Sequence, residues 1–315
     1  MVWLQNTTSG DRSEMNLAFR DMHVWSRISS AGAVNCPSRI QEACFLRVAR
    51  EKAESADLVV VNHALLMRDL IDGGGIIPNY DYLVIDEAHH LEEEATNQFG
   101  SRFSQNAMEE YLERLGGSHG IYRHMRTFID QLLTTPRAEV MEPLIHEGED
   151  LFSKVREHAS VLWSIIIAFI SDHHDVGDSR QLILNITRSS RAQPGWSEIE
   201  IAWENLDLIL SNISRNLERL MHAIGEPDES QSTKHDSIPT EISACLNATV
   251  DVIEKLRSFI AHPEDNQIYW MAQEGRDGEL VLNTAPMHVG ELLQKKLFAQ
   301  KDSIILTSAT LSTEG

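Results

Sequence analysis

Cysteine is scarce, with three in 315 residues: Cys36, Cys44 and Cys245. That excludes a disulfide scaffold and suits a reducing, cytoplasmic compartment. No apolar run approaches the roughly eighteen residues of a membrane-spanning helix. The N-terminus has no basic region leading into an apolar core, so it does not read as a secretory signal. Basic side chains are also few. There are 27 Lys and Arg against 48 Asp and Glu, a net charge of −21. Phosphate contacts need clustered cations, so the chain as a whole is not a non-specific nucleic-acid binder. Room remains for a local basic strip, with Arg39, Arg47, Arg50 and Lys52 as candidates. The competing reading is that Arg47, Arg50 and Lys52 are the solvated face of a helix.

A phosphate loop is missing too. Gly73-Gly74-Gly75 follows Asp72, but no Lys-Ser/Thr comes after it, and no Gly-x-x-x-x-Gly-Lys-Ser/Thr occurs anywhere. The glycine run reads as a flexible loop. Without the lysine and backbone cradle for the β- and γ-phosphates, the chain alone is expected not to hydrolyse ATP.

What is present is an ordinary globular composition, 42% hydrophobic and 24% charged. The length allows one large domain or two modest ones. The most informative stretch is Asp81-Tyr82-Leu83-Val84-Ile85-Asp86-Glu87-Ala88-His89-His90. Leu83–Ile85 is a short β-branched run and predicts a strand buried on both faces of a parallel sheet. The acidic pair then sits at the strand's carboxyl end, where open α/β sheets bind ligands. Asp86 suits Mg²⁺, a hard cation that takes oxygen ligands and keeps waters. Glu87 suits the orientation or deprotonation of an attacking water. The plainer reading is an acidic first turn of a helix, which the helix dipole favours.

The string Asp86-Glu87-Ala88-His89 resembles motif II of superfamily 2 helicases, the DEAH box. Ser303–Leu311 looks like a buried strand ending in motif III, with Ser308-Ala309-Thr310 as its Ser-Ala-Thr. Residues 56–66, with Leu58–Val61 as a buried strand followed by Asn62-His63-x-Leu65-Leu66, are similar to the DinG/XPD-type iron–sulfur helicases. Thr7–Asp11 and Val24-Trp25-Ser26 fit the opening of that pattern. The resemblance is closest over residues 1–95 and 265–315. It implies an ATP-dependent DNA helicase that uses Mg²⁺ and moves 5′ to 3′ on single-stranded DNA. It assigns Asp86 to the metal and Glu87 to the water. His89 would couple the nucleotide state to Ser308, Ala309 and Thr310. Asn62 and His63, with Arg47 and Arg50, become candidates for the DNA side. The chain is expected to be a central section of a longer protein, lacking the phosphate loop and the second RecA-like domain.

More than 200 residues separate the two motif strands, far beyond the roughly dozen of a simple crossover. The pattern between them is helical. Ile199, Trp203, Leu206, Leu210, Ile213, Leu217, Leu220 and Ile224 step by four and three without a break, a heptad seam. Ile242 to Ile260 and Leu151 to Phe169 repeat it. Three seams predict a helical bundle, since each needs a partner. Further helices are expected over 13–27, 41–55, 63–71, 105–115 and 121–133. A strand is expected over 181–188 and a mobile loop over 226–236. A β-hairpin is expected from 267–272 and 279–283, around a glycine-bearing turn. The fold class is therefore α/β: a partial RecA-like parallel sheet with a large helical insertion, mostly α overall. The domains are 1–95, an arch-like insertion 96–264, and a return over 265–315. By resemblance the arch closes over the single strand; a bundle that only braces the motor is the alternative.

The family's iron–sulfur cluster uses four cysteines. Here the relevant segment holds only Cys36 and Cys44, with Ser29, Ser30 and Ala31 where another is expected. Loss of the cluster is the favoured reading; ligands outside the chain, or a substitute such as His23, are the others. Cys36 and Cys44 are not a Cys-x-x-Cys pair, so zinc is poorly supported. Cys245 reads as a small buried hydrophobe. His173-His174, with Asp172 and Asp175, reads as a solvated helix end. A degenerate module that binds nucleic acid or protein through its bundle is the alternative function.

Overall fold

The computed structural model describes residues 6–15, 44–118, 120–131, 136–173, 183–224, 238–274 and 278–309. The expected loop over 226–236 falls outside them, as does most of the expected helix over 13–27. So do Cys36, Arg39, His23, His174, Asp175 and Thr310. By contacts the chain divides into two compact units, Met1–Gln98 with Val289–Gly315, and Phe99–His288.

In the first unit, β1 (Tyr82–Ile85) pairs in parallel with β6 (Ser303–Leu306), Ile85 beside Leu306. The pairing brings together chain ends more than 200 residues apart. The expected burial is not there. Ile85 is buried, but Tyr82 is 74% and Val84 64% exposed, and Ile305 and Leu306 are exposed too. The buried strand expected at Leu58–Val61 is likewise absent. The segment makes no ladder, and Leu58 and Val60 are 80% and 86% exposed. A buried parallel strand needs neighbours on both edges and cover on both faces. Among the described residues β1 has β6 alone as partner. Helix α1 (Phe45–Glu54) follows Cys44. Helix α2 (His63–Ile71) starts at Asn62, whose side chain caps it by accepting from the Leu65 amide at 2.8 Å. Helix α3 (Leu91–Phe99) carries Glu92, Glu93 and Glu94 in its first turn, where the dipole favours them. Helix α10 (Val289–Lys296) precedes β6.

The second unit is the helical insertion. Helices α4 (Gln105–Gly116), α5 (Ile121–Gln131), α6 (Pro136–Asp172), α8 (Pro194–Ile224) and α9 (Ile238–Ile260) share one hydrophobic core. All eight seam positions of α8 are buried. Packing is most extensive between α6 and α8, then between α8 and α9. Two buried polar links fix which helix faces meet. Tyr122 donates to Asn216, whose amide donates to the Leu144 carbonyl at 2.8 Å. The Tyr111 and Thr249 hydroxyls meet at 3.1 Å. Buried groups of this kind cost free energy if left unpaired, so they select one register.

A four-stranded antiparallel sheet completes this unit in the order β2-β5-β4-β3. Its strands are β2 (Ser101–Ser104), β3 (Ile183–Asn185), β4 (Gln267–Glu274) and β5 (Glu279–Pro286). The expected hairpin is β4–β5, with Gly278 at φ 66° in its turn. The hairpin pairs with β2 and β3 and so sits with the bundle, and the contact boundary follows it at His288 rather than preceding it. The expected strand over 181–188 is β3, after which Thr187 caps a short helix, α7 (Arg188–Arg191). Arg191 donates to the Ile260 and Phe259 carbonyls, and its guanidinium lies 4.5 Å from the Trp196 ring centroid. It thereby caps the C-terminus of α9, where the dipole favours a cation. Mostly helical, with a small parallel sheet and an inserted bundle, the chain has the expected fold class.

Candidate functional site

The ends of β1 and β6 meet at a turn built from Asp86, Glu87 and Ala88. The parallel register that sets Ile85 beside Leu306 sets Asp86 beside Thr307. Thr307 donates its backbone N–H to the Ile85 carbonyl at 2.8 Å, and its carbonyl accepts from the Ala88 amide at 2.9 Å. Its hydroxyl donates to Asp86 Oδ1 at 2.5 Å, and the Glu87 amide donates to the same oxygen at 3.0 Å. These two bonds, with a smaller contribution from the nearby His63, hold the exposed Asp86 carboxyl below the usual carboxylate range. Asp86 is therefore a carboxylate at neutral pH, with one oxygen fixed.

Glu87 adopts the left-handed conformation, φ 49° and ψ 44°, and no other non-glycine among the described residues has positive φ. Such a conformation disfavours an L-residue and persists only where the surroundings fix it. Here the Asp86 side chain, the Thr307 backbone and a short 3₁₀ turn over Ala88–His90 do so. The turn takes the Glu87 side chain away from the strand direction, and it remains exposed. His89 Nδ1 lies 2.7 Å from Ser308 Oγ and 3.3 Å from Glu87 Oε2.

Asp86, Glu87, His89 and Ser308 are thus brought together. Ala309 follows, exposed and in a turn. Asn62 and His63 are engaged within the chain: Asn62 caps α2, and His63 Nε2 lies 3.0 Å from the Asp86 carbonyl. Arg47 pairs with Glu51 one turn along α1, and Arg50 is exposed beside it. Cys44 precedes α1 and is half-buried, and Cys245 is buried in the bundle, where burial pushes its thiol up to about 12. His173 is less solvated than a free helix end, since its ring meets the Phe169 carbonyl and Gln193.

Thr307 is the site residue that sequence reasoning passed over. It stands next to Ser308, but its role depends on the cross-strand register, which no single strand displays. The glycine loop has also found an owner. Asp69, buried, accepts from the amides of Ile76 and Ile77 at 2.8 and 3.1 Å. Gly73, Gly74 and Gly75 all have positive φ, which lets the loop curl back to that carboxylate. The Ile76 and Ile77 amides at the end of the loop are therefore committed to the protein's own Asp69.

Among the described residues no three His, Cys, Asp or Glu side chains converge as a metal shell. A single ionised carboxylate at a strand end still fits Mg²⁺, which commonly takes one or two carboxylates together with substrate phosphates and waters. A four-cysteine cluster does not fit, because the chain has three cysteines and Cys245 lies in the bundle core. No described helix is long and apolar enough to cross a membrane.

No family model matches the chain. Curated relatives do. The chain is 25% identical to the 3′-5′ exonuclease DinG of Bacillus subtilis over 320 residues, all of this chain and 34% of that protein. It is 25% identical to the ATP-dependent DNA helicase DinG of Photobacterium profundum over 96% of this chain and 42% of the relative. It is 33% identical to the ATP-dependent DNA helicase YoaA of Escherichia coli over 114 residues, 34% of this chain and 18% of the relative. The chain thus spans about a third to two-fifths of the first two relatives' lengths. Over its whole length the chain is thus similar to proteins named DinG, and relatives of this group carry the names ATP-dependent helicase or ATP-dependent DNA helicase.

Proposed function

We propose that this chain is the central part of a DinG-type, ATP-dependent DNA helicase. It contributes part of the first RecA-like motor domain (residues 1–98 and 289–315) and an arch-like, mostly helical insertion with its own sheet (99–288). The observation that carries this reading is the junction of two distant motifs at one strand end. Asp86 is held by Thr307, and His89 meets Ser308.

In the parent protein Asp86 is the residue that would hold Mg²⁺, and the ion would supply charge neutralisation for the nucleotide phosphates. Glu87, exposed on its left-handed turn, orients and deprotonates the attacking water. His89 carries the state of the site to Ser308 and so to the β6 end, with Ala309 and Thr310 beyond. The coupled work is translocation on single-stranded DNA, 5′ to 3′, in the cytoplasm. Arg47 and Arg50 lie on the DNA side, and no iron–sulfur cluster is held by Cys36 and Cys44. The exposed apolar faces of Tyr82, Val84 and Ile305 favour this reading, since an isolated two-stranded parallel sheet does not stand alone in water. The chain by itself is catalytically silent.

The test is ATP hydrolysis by the full-length parent, with and without single-stranded DNA, beside Glu87→Gln. DNA-stimulated hydrolysis that collapses in the variant supports the motor and the role of Glu87. Hydrolysis in neither form shifts the function to a binding module that acts through the bundle. Hydrolysis by the 315-residue chain alone contradicts its silence.

A further inference from the structure

His63 is the first residue of α2, directly after the capping Asn62. Its Nε2 lies 3.0 Å from the Asp86 carbonyl oxygen. A carbonyl only accepts, so Nε2 carries the proton and donates it. The neutral Nε2–H tautomer and the imidazolium both meet that requirement, so the bond survives protonation of the ring.

The preceding carbonyl, that of Ile85, accepts from the Thr307 amide. Successive carbonyls of a strand point to opposite edges. β6 therefore holds the end of β1 from one edge and the His63 ring holds it from the other. Asp86 is caught between them, its main-chain oxygen on His63 and its carboxylate on Thr307. Glu87 comes next, in a conformation that persists only when its surroundings fix it. Asn62 fixes where α2 starts, so the His63 ring inherits a defined origin.

We propose that His63 is a positioning residue for the Asp86–Glu87 turn: its Nε2–H pins the Asp86 carbonyl, and so ties the aim of both carboxylates to the placement of α2. This rests on the roles given to Asp86 and Glu87 above. The bond is exposed to solvent, so water replaces it when the ring is removed and the fold loses little. The geometry of the turn loses more, and a misplacement of about 1 Å at a reacting group costs up to about a hundredfold in rate.

The experiment compares His63→Ala with His63→Gln, whose amide N–H reaches near the place of Nε2. In the parent helicase, Ala lowers kcat for DNA-stimulated ATP hydrolysis by roughly ten- to a hundredfold. It also raises the Mg²⁺ concentration needed for half-activation and leaves KM for ATP within about twofold. Gln recovers most of the loss. In parallel, amide exchange is followed in the parent protein without ATP. The Ala88 and Thr307 amides exchange faster in the Ala form and recover in the Gln form. Full hydrolysis by His63→Ala, in a parent whose wild type is active, overturns the inference. Unchanged exchange at Ala88 and Thr307 overturns it as well, whether or not the parent hydrolyses ATP. A wild-type parent with no DNA-stimulated hydrolysis sinks the helicase reading instead, and the exchange arm still decides His63.

Discussion

Glu87 sits in a backbone conformation that suits glycine, and the proposed function gives its carboxylate a role. Replacing it with glycine separates the two facts. The left-handed conformation costs a non-glycine residue about 1–2 kcal/mol, and Glu87→Gly releases that. Glycine in turn loses more chain entropy on folding, about 0.5–1 kcal/mol. The side chain's contact with His89 is half-exposed, 54% on the Glu87 side, and a pair of that kind is worth about 0–1 kcal/mol. The sum runs from a loss of about 1 to a gain of about 1.5 kcal/mol and centres near zero, so the turn keeps about its present stability. Glu87→Val, with a branched Cβ in the same conformation, destabilises it. Tryptophan fluorescence is not specific to the turn, since four of the six tryptophans, Trp163, Trp196, Trp203 and Trp270, lie in the second unit. Native-state amide exchange at Ala88 and Thr307 reads the opening of the turn directly, a tenfold change in protection being about 1.4 kcal/mol. ATP hydrolysis by the parent is measured on the same variants and drops about a hundred- to ten-thousandfold in both. A loss of more than about 1 kcal/mol in Glu87→Gly would refute the reasoning, because the strain would then not be there to release.

Three further outcomes are expected. Thr307→Val removes the largest cause of the depressed Asp86 titration, so the carboxyl moves up toward its ordinary range; a carboxyl-carbon NMR titration that finds no shift contradicts the assignment. The sign for stability follows: a depressed carboxyl contributes above its unfolded pKa and loses that contribution as pH falls through the folded value, and in the variant that loss begins at higher pH. Gly148→Ala destabilises the bundle although it lies inside a helix. A Cβ there runs into the buried Tyr122 ring, so overpacking of about 1–3 kcal/mol outweighs a propensity gain of about 1 kcal/mol, and urea unfolding followed by fluorescence reads the net loss. Gly290→Ala, in open space on α10, is the control and leaves the first unit as stable or more so. Asp69→Ala strips two amides of their acceptor and costs about 1–3 kcal/mol; exchange at Ile76 and Ile77 that stays slow would show another acceptor.

Much of this was legible from residue order. The heptad steps through Ile199–Ile224 predicted a buried seam, and every one of those positions is buried. Periodicity is a property of one helix, so one helix's sequence reveals it. The acidic pair after Leu83–Ile85 announced the end of a strand, and β1 ends at Ile85. Burial of strands was a different matter. Leu58–Val61 and β1 have the composition of central strands, yet in this chain they are largely exposed. Apolar composition states what a segment needs, while burial depends on what other segments supply. The glycine loop showed the same limit, since sequence denied it a phosphate but did not reveal that Asp69 fills it.

The sequence alone determined the class of the chain, the helices of the insertion, and the identity of Asp86, Glu87, His89 and Ser308 as chemical groups. Only the tertiary structure decided that Thr307 grips Asp86, that Glu87 turns left-handed, and that His63 reaches the Asp86 carbonyl. The physical reason is one of range. Propensity and periodicity act within a few residues, whereas these contacts span 23 to 221 positions and exist only once β1, β6 and α2 have met.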